Sequence, residues 1–196
     1  MQFSNIKHLL LILLTFISLS VSGTNKDTNS SKGVAITYEA GYRYSIDSKV
    51  LGETRELLIH LPKDYHNSDK KYPVIYLLDG DGNFRHATSA INSLTSEDHM
   101  PEAILVGITN KKGMRTRDLH DQRDQFWSYI KTEVIDFVES NFRVSQHRTL
   151  FGHSFGGDFV MQGFIENNTW FDSFIAASPA MEESIVKQYK ELEVVK

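Results

Sequence analysis

The sequence predicts an α/β fold in which a mainly parallel sheet is covered by helices on both faces. Residues 72–78 and 103–108 are continuous apolar runs with the length expected of strands that are buried on both faces. Segments with apolar residues at helical spacing follow each of these runs. Strands that alternate with helices are typical of parallel sheets. The 196 residues, 40% of them hydrophobic, are enough for one sizeable core, so we expect a single domain.

Residues 1–22 have the pattern of a secretory signal peptide. Lys7 lies in a short polar region, residues 9–21 form an apolar run, and residues 20–22 are small enough for cleavage. A retained membrane anchor is disfavoured because the apolar run is shorter than the roughly 18–20 residues that a span needs. We therefore expect a flexible leader over residues 23–33 and a folded domain over residues 34–196. The protein is predicted to be periplasmic or secreted, without stable membrane association after cleavage.

Composition argues against a nucleic-acid-binding protein, against disulfide bonds and against a lipid anchor. The net charge of −4 becomes −5 once Lys7 is removed with the signal peptide, whereas a nucleic-acid-binding protein should show a basic excess. The chain has no cysteine, so it forms no disulfides and offers no cysteine near the cleavage site for a lipid anchor.

The elements are expected in the following order along the chain. Strands are predicted over residues 34–38, 42–46, 53–61, 72–78, 103–108, 148–151 and 174–177. Helices are predicted over residues 84–94, 126–142 and 155–166, with a last helix beginning near Pro179. The charged residues 110–125 are predicted to form an irregular surface loop at the carboxyl edge of the sheet. Such a charged run is usually a solvated face, although loops at that edge also line substrate sites. His60, inside the third strand, is expected to be a hydrogen-bonded structural residue.

Residues 150–157 contain the pattern G-x-S-x-G, formed by Gly152, Ser154 and Gly156. In a nucleophile elbow this pattern places the serine at a sharp turn between a strand and a helix, with its hydroxyl pointing out of the sheet. The pattern alone arises by chance in roughly one chain in fifteen of this length. Here an apolar strand precedes it and a helical pattern follows it, which favours the elbow over an ordinary Gly/Ser turn.

A second glycine-rich segment, residues 79–82, follows the apolar run 72–78. Such a loop can leave backbone N–H groups free to bind an anionic centre, as an oxyanion hole requires. An ordinary turn is the alternative, and it would be favoured if the serine motif were absent.

Several ordered motifs resemble the putative esterase family of α/β-hydrolases, which includes esterase D-like, enterochelin esterase-like and feruloyl esterase-like enzymes. The matching segments are residues 55–62, 72–80, 104–108, 117–119, 152–157 and 177–179. The resemblance implies hydrolysis of a small-molecule carboxylic ester through an acyl-enzyme, with Ser154 as the nucleophile. It implies an oxyanion hole made by the N–H of Phe155 and one N–H from Gly80 or Asp81, and neither a metal nor an organic cofactor.

The sequence departs from this family after the serine. The acid and then the histidine of the triad normally follow the nucleophile, but none of the eight histidines here comes after Ser154. The resemblance therefore implies an α/β-hydrolase domain that lacks its last strands, as in a truncated chain. His120 and His86 follow strands at the same edge of the sheet and are the candidate substitute bases.

Three functions are compatible with these observations. The first is an exported serine esterase, represented here by an incomplete chain. The second is an exported, non-catalytic binding protein on a degenerate esterase scaffold, and the third is acyl transfer to an acceptor other than water. The sequence does not select among siderophore, feruloyl and simple acyl esters.

Overall fold

The computed structural model describes residues 34–166, 169–180 and 183–193. The chain divides into two units, Met1–Thr37 and Tyr38–Lys196. Of the first unit only residues 34–37 are described, and they have no regular secondary structure. The predicted signal peptide and leader therefore lie outside the described residues. The second unit contains the sheet and helices described below.

The sheet has six strands in the order β1-β2-β4-β3-β5-β6. The strands β4, β3, β5 and β6 run parallel to one another, whereas β1 and β2 are antiparallel to their neighbours. This confirms the predicted mainly parallel sheet. The strands are β1 (Tyr42–Ser48), β2 (Glu53–His60), β3 (Tyr72–Leu77), β4 (Ile104–Ile108), β5 (Val144–His153) and β6 (Ser173–Ala177).

Helices connect the parallel strands. Along the chain they are α1 (Gly80–Ser96), α2 (Arg123–Tyr129), α3 (Ile135–Asn141), α4 (Phe155–Ile165) and α5 (Glu183–Glu193). A π-helical turn, Arg117–Asp121, precedes α2, and a second one, Ile130–Val134, joins α2 to α3. A 3₁₀ turn spans Tyr65–Asn67. Among the described residues, no helix is long and apolar enough to cross a membrane.

Helices cover the sheet on both faces, as predicted. On one face, Phe84 and Ile91 of α1 pack with Leu77 of β3 and Leu105 of β4. On the other face, α2, α3 and α4 pack against a larger cluster that includes Tyr76. The apolar stripe predicted for the long helix supplies four buried members of that cluster, at Phe126, Ile130, Val134 and Val138.

Two predicted elements are wrong. Residues 34–38 do not form a strand, because they make no strand pairing and have no regular secondary structure. Residues 110–125 are not an irregular surface loop, because they include the π-helical turn Arg117–Asp121 and the start of α2.

Buried charges anchor that π-helical turn to the sheet. Arg55 of β2, only 2% exposed, donates to Asp118 Oδ2 at 2.8 Å and to the carbonyl oxygen of Thr109 at 2.6 Å. Arg117 bridges Asp118 Oδ1 and Glu53 Oε1, each at 2.6 Å. Two charged residues of this segment, Arg117 and Asp118, therefore pair with Glu53 and Arg55 of β2, which a charge pattern along the sequence does not reveal.

Candidate active site

Ser154 occupies the junction between β5 and α4. Its backbone has φ 55° and ψ −117°, a conformation that costs a residue other than glycine on the order of 1–3 kcal/mol. The turn is fixed by hydrogen bonds from Ser154 N to Ala177 O at 2.9 Å and from Asp158 N to Ser154 O at 3.0 Å. This is the predicted strand-to-helix turn, with the serine hydrogen-bonded to the neighbouring strand β6 and to its own helix α4.

Two glycines that flank Ser154, one before it and one after it, are required by close contacts. A Cβ on Gly152 would lie 2.1 Å from the carbonyl oxygen of Gly156, well inside contact distance. A Cβ on Gly157 would lie 3.0 Å from the carbonyl oxygen of Ala177. The first turn of α4 therefore packs directly on the ends of β5 and β6.

A second sharp junction lies beside the first, between β3 and α1. Asp79 has φ 54° and ψ 41°, and its carbonyl oxygen accepts from Gly82 N and Asn83 N at 3.1 Å. The helix thus begins directly at Gly80, and the prediction of a glycine-rich loop at residues 79–82 is wrong. The physical reason is that a Cβ on Gly80 would lie 2.6 Å from the backbone of Gly107, so α1 begins against β4.

Two helix N-termini consequently meet at one edge of the sheet. β3 and β5 are parallel neighbours, and Leu78 N donates to Phe151 O at 2.9 Å just before the two junctions. The first amides of a helix have no acceptor within that helix. The amides of Gly80, Asp81 and Phe155, the predicted oxyanion donors, have no acceptor among the described residues.

The carboxylate of Asp79 is bound by side chains from the segment after β4. Arg115 donates through Nε to Oδ1 at 2.6 Å and through Nη2 to Oδ2 at 2.8 Å. Asn110 Nδ2 donates to Oδ1 at 2.7 Å. The hydrogen bond with Asp79 raises the pKa of the Arg115 guanidinium above its ordinary value, so the arginine stays charged.

Of the two candidate bases, His120 contacts the elbow. Its ring stacks on that of Phe155, with the ring centroids 5.8 Å apart and the planes 15° apart. Its Nδ1 lies 3.2 Å from Asp121 Oδ1. His86 is exposed in the second turn of α1, and His153 is exposed at the end of β5. The structure therefore brings Ser154, Phe155, His120 and the start of α1 to one edge of the sheet.

Sequence reasoning did not identify Arg115 and Asn110. They belong to the charged segment that was predicted to be solvated, and nothing in that run marks which residue pairs with Asp79. The Arg115 guanidinium also lies 5.5 Å from the centroid of the Phe155 ring, so it contacts both junctions.

A cavity of about 810 Å³ lies at the opposite edge of the sheet, and its lining includes none of the predicted site residues. It includes Tyr42, Asn92, Glu102 and the buried His60. His60 Nδ1 lies 3.0 Å from Ala40 O and its Nε2 lies 3.1 Å from Asn92 Oδ1. His60 is thus hydrogen-bonded on both sides, which confirms its predicted structural role.

Curated relatives match most of the folded domain. The chain is 26% identical to the uncharacterized protein YjcH of Bacillus subtilis, over 76% of this chain and 65% of that protein. It is 28% identical to the ferri-bacillibactin esterase BesA of Bacillus subtilis, over 56% of this chain and 48% of the relative. It is 27% identical to an apo-salmochelin esterase of Escherichia coli, over 56% of this chain and 42% of the relative. The chain thus spans between about two fifths and two thirds of the length of these relatives.

Solved structures and a family model give a consistent result. An IroE-like serine hydrolase from Shewanella oneidensis superposes with a TM-score of 0.70 at 28% identity, over 76% of this chain and 55% of that one. The BES protein from Bacillus cereus superposes with a TM-score of 0.70 at 23% identity, over 83% and 71% of the two chains, and shows the shared α/β-hydrolase fold. The family model described as "Putative esterase" matches residues 48–190. The chain therefore belongs to the Putative esterase family.

Proposed function

We propose that this protein hydrolyses carboxylic esters of small molecules through an acyl-enzyme on Ser154. The observation that carries the proposal is the Ser154 junction, where a non-glycine residue is held at φ 55° directly beside the first amides of two helices. Membership of an esterase family supports the reaction class.

In the proposed reaction, Ser154 Oγ attacks the ester carbonyl carbon and a base takes the hydroxyl proton. The carbonyl oxygen becomes negatively charged and accepts hydrogen bonds from Phe155 N and from Asp81 N or Gly80 N. Collapse of this intermediate releases the alcohol, which takes the proton from the base. Water then attacks the acyl-serine, which releases the acid and restores Ser154. Loss of one oxyanion donor typically lowers kcat by about 10²–10³.

His120 is the first residue to test as the base. It stacks on Phe155, the residue that follows Ser154, and Asp121 lies at hydrogen-bonding distance from its Nδ1. An acid at Nδ1 is how a catalytic histidine is held in the tautomer that accepts a proton at Nε2. His86 provides the matched control because it is exposed in the second turn of α1.

We propose siderophore esters as the first substrate class to test, because curated relatives carry the names ferri-bacillibactin esterase, apo-salmochelin esterase and siderophore enterobactin esterase. We also propose export to the periplasm or the medium, on the basis of the signal-peptide pattern in residues 1–22. N-terminal sequencing of the protein recovered after expression would test export, with Gly23 expected as the first residue.

The test of the nucleophile is labelling of the purified protein with a fluorophosphonate, read by intact mass. The expected result is one label per chain, lost in Ser154→Ala and retained in Ser89→Ala, which removes an exposed serine of α1. Parallel turnover assays would use enterobactin and 4-nitrophenyl butyrate. His120→Gln should lower the labelling rate and His86→Gln should not.

An unlabelled Ser154 in a folded protein would overturn the proposal. Binding of enterobactin without its hydrolysis would then favour the non-catalytic binding protein. Acyl transfer would appear instead as an acylated acceptor formed at the expense of free acid when an alcohol is added.

A further inference from the structure

We propose that Arg115 is a positioning residue that keeps the Asp79 carboxylate away from the Asp81 amide and thereby keeps the oxyanion hole open. This inference rests on the function proposed above. It concerns how one of the oxyanion donors is made available rather than the chemistry at Ser154.

Asp79 stands where a capping residue normally stands. An aspartate immediately before a helix usually accepts a hydrogen bond from the amide of the second or third helical residue through its carboxylate. Asp79 precedes α1, yet its side chain makes no such bond. The second residue of α1 is Asp81, so the amide that a capping carboxylate would take is one of the predicted oxyanion donors.

A carboxylate at that amide would be harmful in two ways. It would occupy the donor, and its negative charge would oppose the charge that develops on the carbonyl oxygen of the substrate. The site thus depends on the Asp79 side chain adopting an arrangement that differs from ordinary helix capping.

Arg115 provides that arrangement. Its guanidinium binds both carboxylate oxygens, at 2.6 Å and 2.8 Å, in the bidentate geometry that arginine supplies and lysine does not. Asp79 is also in the left-handed conformation, at φ 54°, which is unfavourable for a residue other than glycine. If the ion pair is removed, Asn110 Nδ2 at 2.7 Å is the one hydrogen-bond partner that the carboxylate keeps among the described residues, and the carboxylate can turn towards the Asp81 amide as a capping residue does.

The position of the carboxylate explains why its charge must be balanced. Asp79 Oδ2 lies 3.0 Å from the point where a Cβ on Gly156 would stand, so the carboxylate is adjacent to the start of α4 as well as α1. Arg115 itself contacts the ring of Phe155. One arginine therefore neutralises an acid that lies between the two helix N-termini.

The first experiment measures steady-state ester hydrolysis by the full chain and by four variants, of which three are single substitutions and the fourth is a double substitution. Arg115→Ala should lower kcat by about tenfold or more with little change in KM, as expected for partial loss of one oxyanion donor. Arg115→Lys should recover part of this loss. Arg43→Ala, which removes the arginine of an exposed ion pair between β1 and Glu56 of β2, is the control and should not change kcat.

The decisive variant is the double substitution Asp79→Gly with Arg115→Ala. Glycine accepts the left-handed conformation and has no carboxylate to release. If Arg115 acts by restraining that carboxylate, the double variant should have a higher kcat than Arg115→Ala alone. A double variant that is as slow as Arg115→Ala, or slower, would overturn the inference.

A second measurement does not depend on turnover. Exchange of the Asp81 amide proton with water, followed by NMR in the Ser154→Ala background, should slow when Arg115→Ala is added, because the released carboxylate would cap that amide. Unchanged exchange would overturn the inference. Failure of the proposed function gives a different result, namely no fluorophosphonate label on Ser154 of the folded wild type, or labelling and turnover that are retained in Ser154→Ala.

Discussion

Glu53 gives the protein a specific dependence on acid pH. Its carboxylate, 13% exposed at the start of β2, accepts from Arg117 at 2.6 Å, from Arg55 at 3.0 Å and from Lys111 at 3.2 Å. These cations, Arg117 above all, lower the pKa of Glu53 from 4.5 to about 2, although partial desolvation acts in the opposite direction. Folding therefore favours the ionised form of this side chain.

The sign and size of the effect follow from linkage. A carboxyl whose pKa is lowered on folding stabilises the folded state above its unfolded pKa, and the contribution is lost as the pH falls towards the folded pKa. For Glu53 the loss should occur between about pH 4.5 and pH 2. The full pKa difference corresponds to about 3 kcal/mol. Because two of the three cations, Arg117 and Lys111, are 24% and 55% exposed, solvent screens part of the interaction, and we expect about 1–2 kcal/mol.

The assay is urea unfolding of the wild type and Glu53→Gln, followed by tryptophan fluorescence at several pH values from 7 to 3. The variant should be less stable by about 1–2 kcal/mol at pH 7, and this difference should shrink as the pH falls below 4.5. Glu56→Gln is the matched control, because Glu56 lies on the same strand with its side chain 45% exposed and pairs with an exposed Arg43. A constant difference between wild type and Glu53→Gln across the whole pH range would refute the reasoning.

Two further substitutions test the packing around the site. Asp118→Ala removes an ion-pair partner of the buried Arg55 and should lower the free energy of unfolding by about 3–5 kcal/mol, measured by urea titration. A loss below about 1 kcal/mol would show that Arg55 finds another partner. Gly152→Ala places a Cβ 2.1 Å from the carbonyl oxygen of Gly156, so this variant should reduce fluorophosphonate labelling by at least about tenfold. Gly82→Ala is the control, because its Cβ meets no atom within 4 Å and labelling should not change. Equal labelling of the two glycine variants would contradict the elbow geometry.

The central strands were predictable because their signal is local and their burial is nearly complete. β3 and β4 are continuous apolar runs, and a strand covered on both faces needs no alternation of polar and apolar residues. The apolar stripe from Phe126 to Val138 was predictable for the same reason, since helical spacing marks one buried face. Residues 34–38 show the limit of this reasoning, because alternation of apolar and polar residues does not by itself supply the partner strand that a β-strand needs.

The charged segment after β4 was beyond prediction for a different reason. Arg115 pairs with an aspartate 36 residues earlier, and Arg117 pairs with a glutamate 64 residues earlier. Charged residues that neutralise one another across such separations leave the same pattern in the sequence as a solvated loop. Asp118 is 1% exposed because the π-helical turn packs beside β2, and the sequence pattern does not indicate that contact.

The sequence predicts the sharp strand-to-helix turn at Ser154 but not the one at Asp79, and the contacts of their glycines explain the difference. Asp79 and Ser154 have nearly the same φ, 54° and 55°, and each ends one of two parallel neighbouring strands and starts a helix. The glycine requirement at the serine junction comes from its own helix, since Gly152 faces Gly156. The requirement at the other junction comes from a different strand, since Gly80 faces Gly107.

A motif of closely spaced residues can encode the first kind of contact but not the second. The second junction nevertheless supplies half of the proposed oxyanion hole, because an elbow alone brings only the N-terminus of α4 to Ser154. Two sharp strand-to-helix turns on adjacent parallel strands are needed to direct amides from two helices towards one carbonyl oxygen. The pair formed by Asp79 and Arg115 is what allows the second turn to end in an aspartate without closing the site.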